Sequence, residues 1–330
     1  MYYLALQPIY DTEGKAIAAE VLVRARNGSD SAPYEDVVDL CSPGAEAEVQ
    51  EVYARWKVHE IAVWTLQALR QNPVLQELPN GLFSNLRPVD ISPKSKIYQM
   101  MAAHLRKLAS EDPDGFALLL KLVHLEVTED QAPPDDMAEG LEAWRALGFK
   151  LSYDDTVGVL AAEALEKPGA SKNHHTTLAL GAEGLLDHFT WVKADMEWAG
   201  LTIFLSHPCY DKKPEIKAQV LAKARDEDLV YVPCDKELRC TGRSHSELCA
   251  EFATWALHVI SRGRGICIEL SVCQTDPNNA LALSRLRGLG LDIFGKQKGS
   301  FCFQGGPTGA KAFEPSVLAR AAMHVEPPAS

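Results

Sequence analysis

The chain has 330 residues, 46% of them hydrophobic and 24% charged, so it can bury a large core and is not of a disordered type. Its formal net charge of −12 argues against binding to nucleic-acid phosphates, and we expect no DNA or RNA partner. No apolar run reaches the roughly 20 residues of a membrane-spanning helix, and the first residues lack the basic region of a signal peptide. The eight cysteines show no disulfide-framework spacing, so we expect reduced thiols, no membrane insertion and a cytoplasmic location.

Strands and helices alternate along nearly the whole chain. The predicted strands are short apolar runs at residues 4–9, 16–23, 81–86, 117–127, 150–153, 189–192, 265–270 and 291–294. The predicted helices have apolar residues at helical spacing and cover residues 46–69, 95–108, 137–147, 247–262 and 278–289. The alternation predicts parallel strands with helical crossovers, and at this length an eight-stranded barrel is the leading candidate. The tail after Pro307 is expected to be loose.

Polar side chains stand near the ends of the successive predicted strands. They are Glu20, Asn85, Glu126, Asp154, Asp155, Lys193, Glu269 and Gln297. In a barrel of parallel strands, the residues at the C-terminal strand ends converge on one mouth and form the functional site. The adjacent carboxylates of Asp154 and Asp155 would repel each other unless a cation neutralises them. Carboxylate and amide oxygens are ligands of hard divalent cations, so the pattern predicts a metal site.

Eight short segments form an ordered series along the chain. They are Gln7-Pro8-Ile9, Glu20-Val21-Leu22-Val23-Arg24, Phe83-Ser84-Asn85-Leu86, Glu126-Val127-Thr128-Glu129, residues 148–155, Lys193-Ala194-Asp195, Glu269, and Gln297 with Gly299 and Pro307. The series resembles, in the same order, the motifs of the EAL domain, a phosphodiesterase family that cleaves cyclic di-GMP.

The resemblance implies a TIM-like (β/α)8 barrel whose first strand runs antiparallel, and hydrolysis of cyclic di-GMP to linear pGpG. It implies Mg²⁺ or Mn²⁺ as the cofactor, held by Glu20, Asn85, Glu126, Asp154 and Asp155. The residues implied to act in catalysis are Glu20, Lys193 and Glu269, and those implied to contact the substrate are Gln7, Arg24 and Gln297. Glu129 would anchor the loop after Asp155, and a homodimer is the assembly that the family suggests.

Two departures from the family pattern keep other functions open. Asp155 is followed by Thr156-Val157-Gly158-Val159 where the family has Phe-Gly-Thr-Gly, and the segment after Glu269 lacks the family's second Glu. The alternative is therefore a weakly active or inactive EAL domain that serves as a cyclic di-GMP receptor or a protein-interaction module. A third, weaker hypothesis is another metal-dependent phosphodiesterase on the same barrel.

The spacing between the motifs predicts how the domain is organised. Residues 1–310 would form an EAL-type barrel with insertions near residues 163–186 and 202–244, and residues 311–330 a C-terminal tail. A zinc site formed by the Cys and His side chains around the second insertion, Cys234, Cys240, His245 and Cys249, is one alternative there. Because their spacing matches no standard zinc pattern, ordinary thiols are the favoured interpretation.

Overall fold

The computed structural model of the chain describes residues 2–11, 16–25, 47–128, 136–154, 183–195, 219, 222–234, 237–269, 280–291, 301–304 and 323–325. The chain divides into two compact units. Unit 1 comprises Met1–Ile9, Lys15–Ser152 and Gly309–Ser330, and unit 2 comprises Tyr10–Gly14 and Tyr153–Thr308.

Unit 1 is a sheet flanked by helices. Its strands are β1 (Tyr2–Tyr10), β2 (Ala16–Ala25), β3 (Leu82–Leu86), β4 (Val123–Val127), β5 (Lys150–Tyr153) and β11 (Met323–Val325), in the order β11-β1-β2-β3-β4-β5. Its helices are α1 (Ala47–Val58), α2 (Thr65–Gln71), α3 (Lys96–Glu111), α4 (Pro113–Leu122) and α5 (Met137–Ala146), with a π-helical segment at His59–Trp64 and 3-10 turns at Pro73–Glu77 and Pro88–Asp90.

The strand directions confirm the predicted fold class, a mixed α/β fold of the TIM-like type with an antiparallel first strand. β1 and β2 form an antiparallel hairpin, whereas β2, β3 and β4 pair in parallel. The register places Glu20 of β2 opposite Phe83 of β3, and Asn85 of β3 opposite Glu126 of β4. Asn85 and Glu126, near the ends of β3 and β4, are thereby brought side by side within unit 1. Glu20 lies at the middle of β2 and not, as the sequence predicts, near a strand end, because β2 extends to Ala25.

The prediction of one strand over residues 117–127 is wrong in its first part, because α4 extends to Leu122 before β4 begins. The Asp112 side chain accepts a hydrogen bond from the Gly115 amide (3.1 Å), and Pro113 occupies the first turn, both of which are helix-start signals. An apolar run cannot separate a buried helix face from a buried strand by periodicity. The apolar run at residues 117–127 therefore comprises the end of α4 and the whole of β4.

A glycine allows β3 to begin close to the end of α4. Gly81 has φ +71°, a left-handed conformation that side chains disfavour, and a Cβ atom there would lie 2.0 Å from the Leu122 carbonyl oxygen. The Gly81 carbonyl accepts a hydrogen bond from the Ala19 amide (3.2 Å). Gly81 therefore contacts both β2 and the end of α4, immediately before β3 begins.

The C-terminal part of the chain also differs from the prediction. Residues 323–325 form β11, which pairs antiparallel with β1 through Tyr2 and Val325 and through Leu4 and Met323, so this part of the tail is not loose. Leu291 is buried, but the rest of the predicted strand 291–294 lies outside the described residues. The proposed division into residues 1–310 and 311–330 stays a prediction.

Unit 2 contains two separate sheets. Its strands are β6 (Trp191–Asp195), β7 (Leu229–Cys234), β8 (Glu237–Ser244), β9 (Gly265–Glu269) and β10 (Phe301–Gln304), and its helices are α6 (Glu183–Leu186), α7 (His245–Ser261) and α8 (Ala280–Gly288). β6 and β9 pair in parallel, whereas β10 pairs antiparallel with β9, and the sequence analysis did not predict β10. β7 and β8 form a two-stranded hairpin. Apolar side chains of α7 and α8 pack into one core with Ile266 of β9.

Asp228 fixes the hairpin to two helices of unit 2, α7 and α8. It has φ +55°, and its carboxylate accepts hydrogen bonds from Ser244, from the Ser246 amide (3.1 Å) and hydroxyl (3.0 Å), and from Arg285 of α8 (2.7 Å). Desolvation is the largest single effect on the pKa of Asp228 and raises it. The hydrogen bonds and the Arg285 charge together outweigh desolvation, so the pKa of Asp228 lies below its usual value. The start of α7 is thus anchored by one carboxylate.

Among the described residues, no helix combines the length and the apolar character needed to cross a membrane.

Candidate functional site

Four predicted or neighbouring polar side chains meet in unit 1, and we name them the Glu20 cluster: Glu20, Asn85, Glu126 and Ser152. Glu20 is 7% exposed and Glu126 is fully buried. Asn85 Nδ2 donates a hydrogen bond to Glu20 Oε1 (3.2 Å), and Ser152 Oγ donates one to Glu126 Oε1 (3.4 Å). Two carboxylates are therefore buried beside a carboxamide on three adjacent strands, with Glu20 at the middle of β2 and with Asn85 and Glu126 near the ends of β3 and β4.

The carbonyl oxygen of Asn85 is a buried acceptor within the Glu20 cluster. Asn85 Oδ1 is buried and accepts no hydrogen bond within the described part of the chain. An unsatisfied buried acceptor typically costs about 1–3 kcal/mol, and a buried carboxylate costs more unless a cation compensates it. Oxygen donors of this kind suit Mg²⁺ and Mn²⁺, so the chemistry of these side chains fits a divalent metal ion. No three His, Cys, Asp or Glu side chains among the described residues come close enough together to hold one ion.

Asp154 and Lys193 form a buried ion pair in unit 2. Lys193 Nζ lies 2.7 Å from Asp154 Oδ1, and the two residues are 1% and 8% exposed. Asp154 directly follows β5, and Lys193 is at the middle of β6. Burying two charges carries a large desolvation cost, which only close pairing offsets. The Lys193 ammonium therefore neutralises Asp154.

The remaining predicted site residues are described only in part or not at all. Gln7 is half-buried in β1, and Arg24 lies in β2, where only its backbone is described. Glu269 is at the end of β9 as the register partner of Asp195, also with its backbone alone described. Asp155, Glu129 and Gln297 lie outside the described residues.

Sequence reasoning missed His124, which occupies the strand position two residues before Glu126. Its ring stacks on Phe83 with 4.9 Å between the ring centroids, and its Nδ1 atom has no hydrogen-bond partner in the described part of the chain. Burial, and to a lesser extent the nearby Lys150 charge, lower the pKa of His124 from its usual 6.5 to about 3. The only sequence signal was a histidine within an otherwise apolar strand.

The depressed pKa of His124 predicts a loss of stability in acid. The unfolded chain binds a proton at this residue below about pH 6.5, whereas the folded chain remains neutral down to about pH 3. The free energy of unfolding should therefore fall by up to about 1.4 kcal/mol per pH unit between these values. Urea unfolding of the metal-free wild type and of His124→Phe, at about pH 7.5 and about pH 5, measures this contribution. Equal pH dependence in the two proteins would contradict it.

The Cys and His side chains considered for zinc are described at three of four positions. Cys240 is exposed, whereas Cys249 is buried with its Sγ atom 3.6 Å from His245 Nδ1. Arg285 also contacts His245 Nδ1 (2.5 Å), and a guanidinium beside this nitrogen disfavours a cation there. The side chain of Cys234 is outside the description. The described contacts favour ordinary thiols.

We expect the two thiols to differ strongly in reactivity. Burial raises the pKa of Cys249 to about 12, so it carries almost no thiolate near neutral pH. Iodoacetamide applied to the native protein at about pH 8, followed by peptide mass spectrometry, should label Cys240 and leave Cys249 unlabelled until urea unfolds the chain. Rapid native labelling of Cys249 would show that its pocket opens.

No protein-family model matches the chain, and no curated protein matches it. Among solved structures, it is similar to the EAL enzyme Bd1971 in its cGMP-bound form, with 17% identity and a TM-score of 0.35 over 69% of this chain and 53% of that one. A form of Bd1971 bound to cAMP and cyclic-di-GMP gives 17% identity and a TM-score of 0.34 over 69% and 53% of the two chains. The EAL domain of Mycobacterium smegmatis DcpA gives 17% and 0.31 over 68% and 74%. The match thus spans about half of the Bd1971 chain.

Proposed function

We propose that the chain is a metal-dependent phosphodiesterase of the EAL type that hydrolyses cyclic di-GMP to linear pGpG with Mg²⁺ or Mn²⁺. Glu20, Asn85, Glu126, Asp154 and Asp155 would hold the metal ions. The observation that supports the proposal most is the buried, unsatisfied Asn85 carbonyl oxygen next to the Glu20 carboxylate. The identity of the proposed substrate is inferred from the eight ordered sequence motifs.

The chemistry proposed for the site divides between the metal and the side chains. When bound, a divalent ion polarises the phosphate and lowers the pKa of a bound water. The Lys193 ammonium offsets negative charge that develops on the phosphate in the transition state. Glu269 accepts a proton from the attacking water, and Arg24 binds a phosphate through its guanidinium. Gln7 and Gln297 would contact the substrate as neutral hydrogen-bonding groups.

The test is a hydrolysis assay with purified protein, Mn²⁺ and cyclic di-GMP, with the product separated by chromatography. We expect pGpG from the wild type and none from Glu20→Ala. Saturable binding of cyclic di-GMP without pGpG would contradict the enzyme and support the receptor. Absence of both binding and turnover would contradict a cyclic di-GMP function altogether.

The receptor remains the second candidate because of two specific features. The loop after Asp155 departs from the family pattern at Thr156 and Val157, and Asp154 is already neutralised by Lys193. An internal ammonium competes with a metal ion for the same carboxylate, which would weaken metal binding at Asp154. The homodimer and the cytoplasmic location stay predictions.

A further inference from the structure

Asp90 ties the segment that follows Asn85 to two helices of unit 1. It is fully buried in the 3-10 turn Pro88–Asp90, directly after β3. Asp90 Oδ2 accepts hydrogen bonds from the Tyr53 hydroxyl of α1 (2.8 Å) and from the Arg87 amide (3.0 Å). Its backbone carbonyl accepts a third bond, from Trp144 Nε1 of α5 (3.1 Å). Asp90 thus links the turn to α1 and to α5.

The surroundings of Asp90 act on its carboxyl group in opposite directions. Burial raises the pKa of Asp90, whereas the nearby charges of Lys57 and Arg87 and the hydrogen bond from Tyr53 oppose this rise. The Arg87 guanidinium lies 5.8 Å from the centre of the Tyr53 ring. Both side-chain hydrogen bonds of Asp90 are accepted by Oδ2. Asp90 Oδ1, in contrast, has no hydrogen-bond partner in the described residues. Both side-chain hydrogen bonds of this buried residue therefore hold the turn after β3: one lies within the turn, and the other joins the turn to α1.

We propose that Asp90 is a positioning residue for the metal site, because it holds the turn after β3 so that the Asn85 carboxamide stays beside Glu20. The inference rests on the proposed function, in which Asn85 is a metal ligand. Arg87, whose amide Asp90 binds, is only two positions after Asn85, so movement of the turn is transmitted to the end of β3. Groups that orient metal ligands typically contribute about 10–100-fold to metal affinity.

Two variants of Asp90 and a matched core variant test the proposal. Asp90→Ala removes the acceptor, whereas Asp90→Asn keeps an oxygen for Tyr53 and for the Arg87 amide. Leu69→Ala creates a cavity at a fully buried residue of α2 and controls for general destabilisation. Two quantities are measured on the full chain: the hydrogen-exchange protection of the Arg87 amide without metal, and the dissociation constant for Mn²⁺.

We expect Asp90→Ala to lower the Arg87 protection and the Mn²⁺ affinity by about tenfold each. Asp90→Asn and Leu69→Ala should both stay within about 1.5-fold of the wild type in both quantities. Equal losses in Asp90→Ala and Leu69→Ala, or unchanged values in Asp90→Ala, would overturn the proposal. So would an Asp90→Asn variant as impaired as Asp90→Ala.

Two further outcomes are also decisive. If Asp90→Ala does not fold, Tyr53→Phe removes one of the two hydrogen bonds to Oδ2 and should lower the Mn²⁺ affinity about threefold, and an unchanged affinity would overturn the proposal. If the wild type binds no Mn²⁺, the proposed function fails. The exchange rate of the Arg87 amide then still decides whether Asp90 holds the turn.

Discussion

Glu20→Gln is expected to lower the Mn²⁺ affinity of the chain at least about a hundredfold and to abolish hydrolysis, because a charged oxygen ligand becomes a neutral amide of the same shape. Without metal, the same variant should be at least as stable as the wild type. The amide oxygen can still accept the hydrogen bond from Asn85 Nδ2, while the cost of burying a carboxylate disappears. Calorimetric titration with Mn²⁺ and urea unfolding measure the two effects.

The control for Glu20→Gln is the same substitution at Glu139, an exposed residue of α5 whose side chain is 62% accessible. Glu139→Gln should change neither the Mn²⁺ affinity nor the stability by a measurable amount, because exposed ion pairs contribute about 0–1 kcal/mol. Indistinguishable Mn²⁺ affinities in the Glu20 and Glu139 variants would contradict the assignment of Glu20 as a ligand.

Lys193→Met should lower the free energy of unfolding by about 3–5 kcal/mol, because the buried Asp154 carboxylate loses the ammonium that neutralises it. The methionine keeps most of the side-chain volume, so the effect reports charge and not a cavity. Urea unfolding of the metal-free protein provides the measurement. Lys107→Met, at a residue whose side chain is 70% exposed, should change the stability by less than about 0.5 kcal/mol.

A double variant separates the ion pair from other effects of removing Lys193. Asp154→Asn removes the carboxylate charge, so adding it to Lys193→Met should recover a large part of the lost stability. If the losses of the two single variants are simply additive, the pair at 2.7 Å contributes no coupling and the interpretation is wrong.

Elements with clear local signals were predictable from the sequence. The strand at residues 150–153 agrees with β5 (Lys150–Tyr153), since it lies between a glycine-terminated helix and two acidic residues. The run 117–127 was misassigned because α4 and β4 are both apolar and lack a polar boundary. β10 and β11 are short, and they exist through antiparallel pairing with β9 and β1, which local sequence does not specify.

The candidate site was predictable as a set of residue types but not as a set of contacts. Glu20, Asn85 and Glu126 could be named because carboxylates and an amide interrupt apolar strands. Asp90 could not, since an aspartate in the turn after a strand usually faces solvent, and its burial depends on helices distant in sequence. The bond from Tyr53, 37 residues away, is a property of the tertiary structure.

The most direct test of the central claim is anomalous diffraction at the manganese edge from crystals grown with Mn²⁺. Metal–oxygen distances of about 2.2 Å from the ion to Glu20, Asn85 and Glu126 are the predicted result. A Glu20 cluster without a manganese peak at saturating Mn²⁺, or a peak bound by other residues alone, would contradict the account.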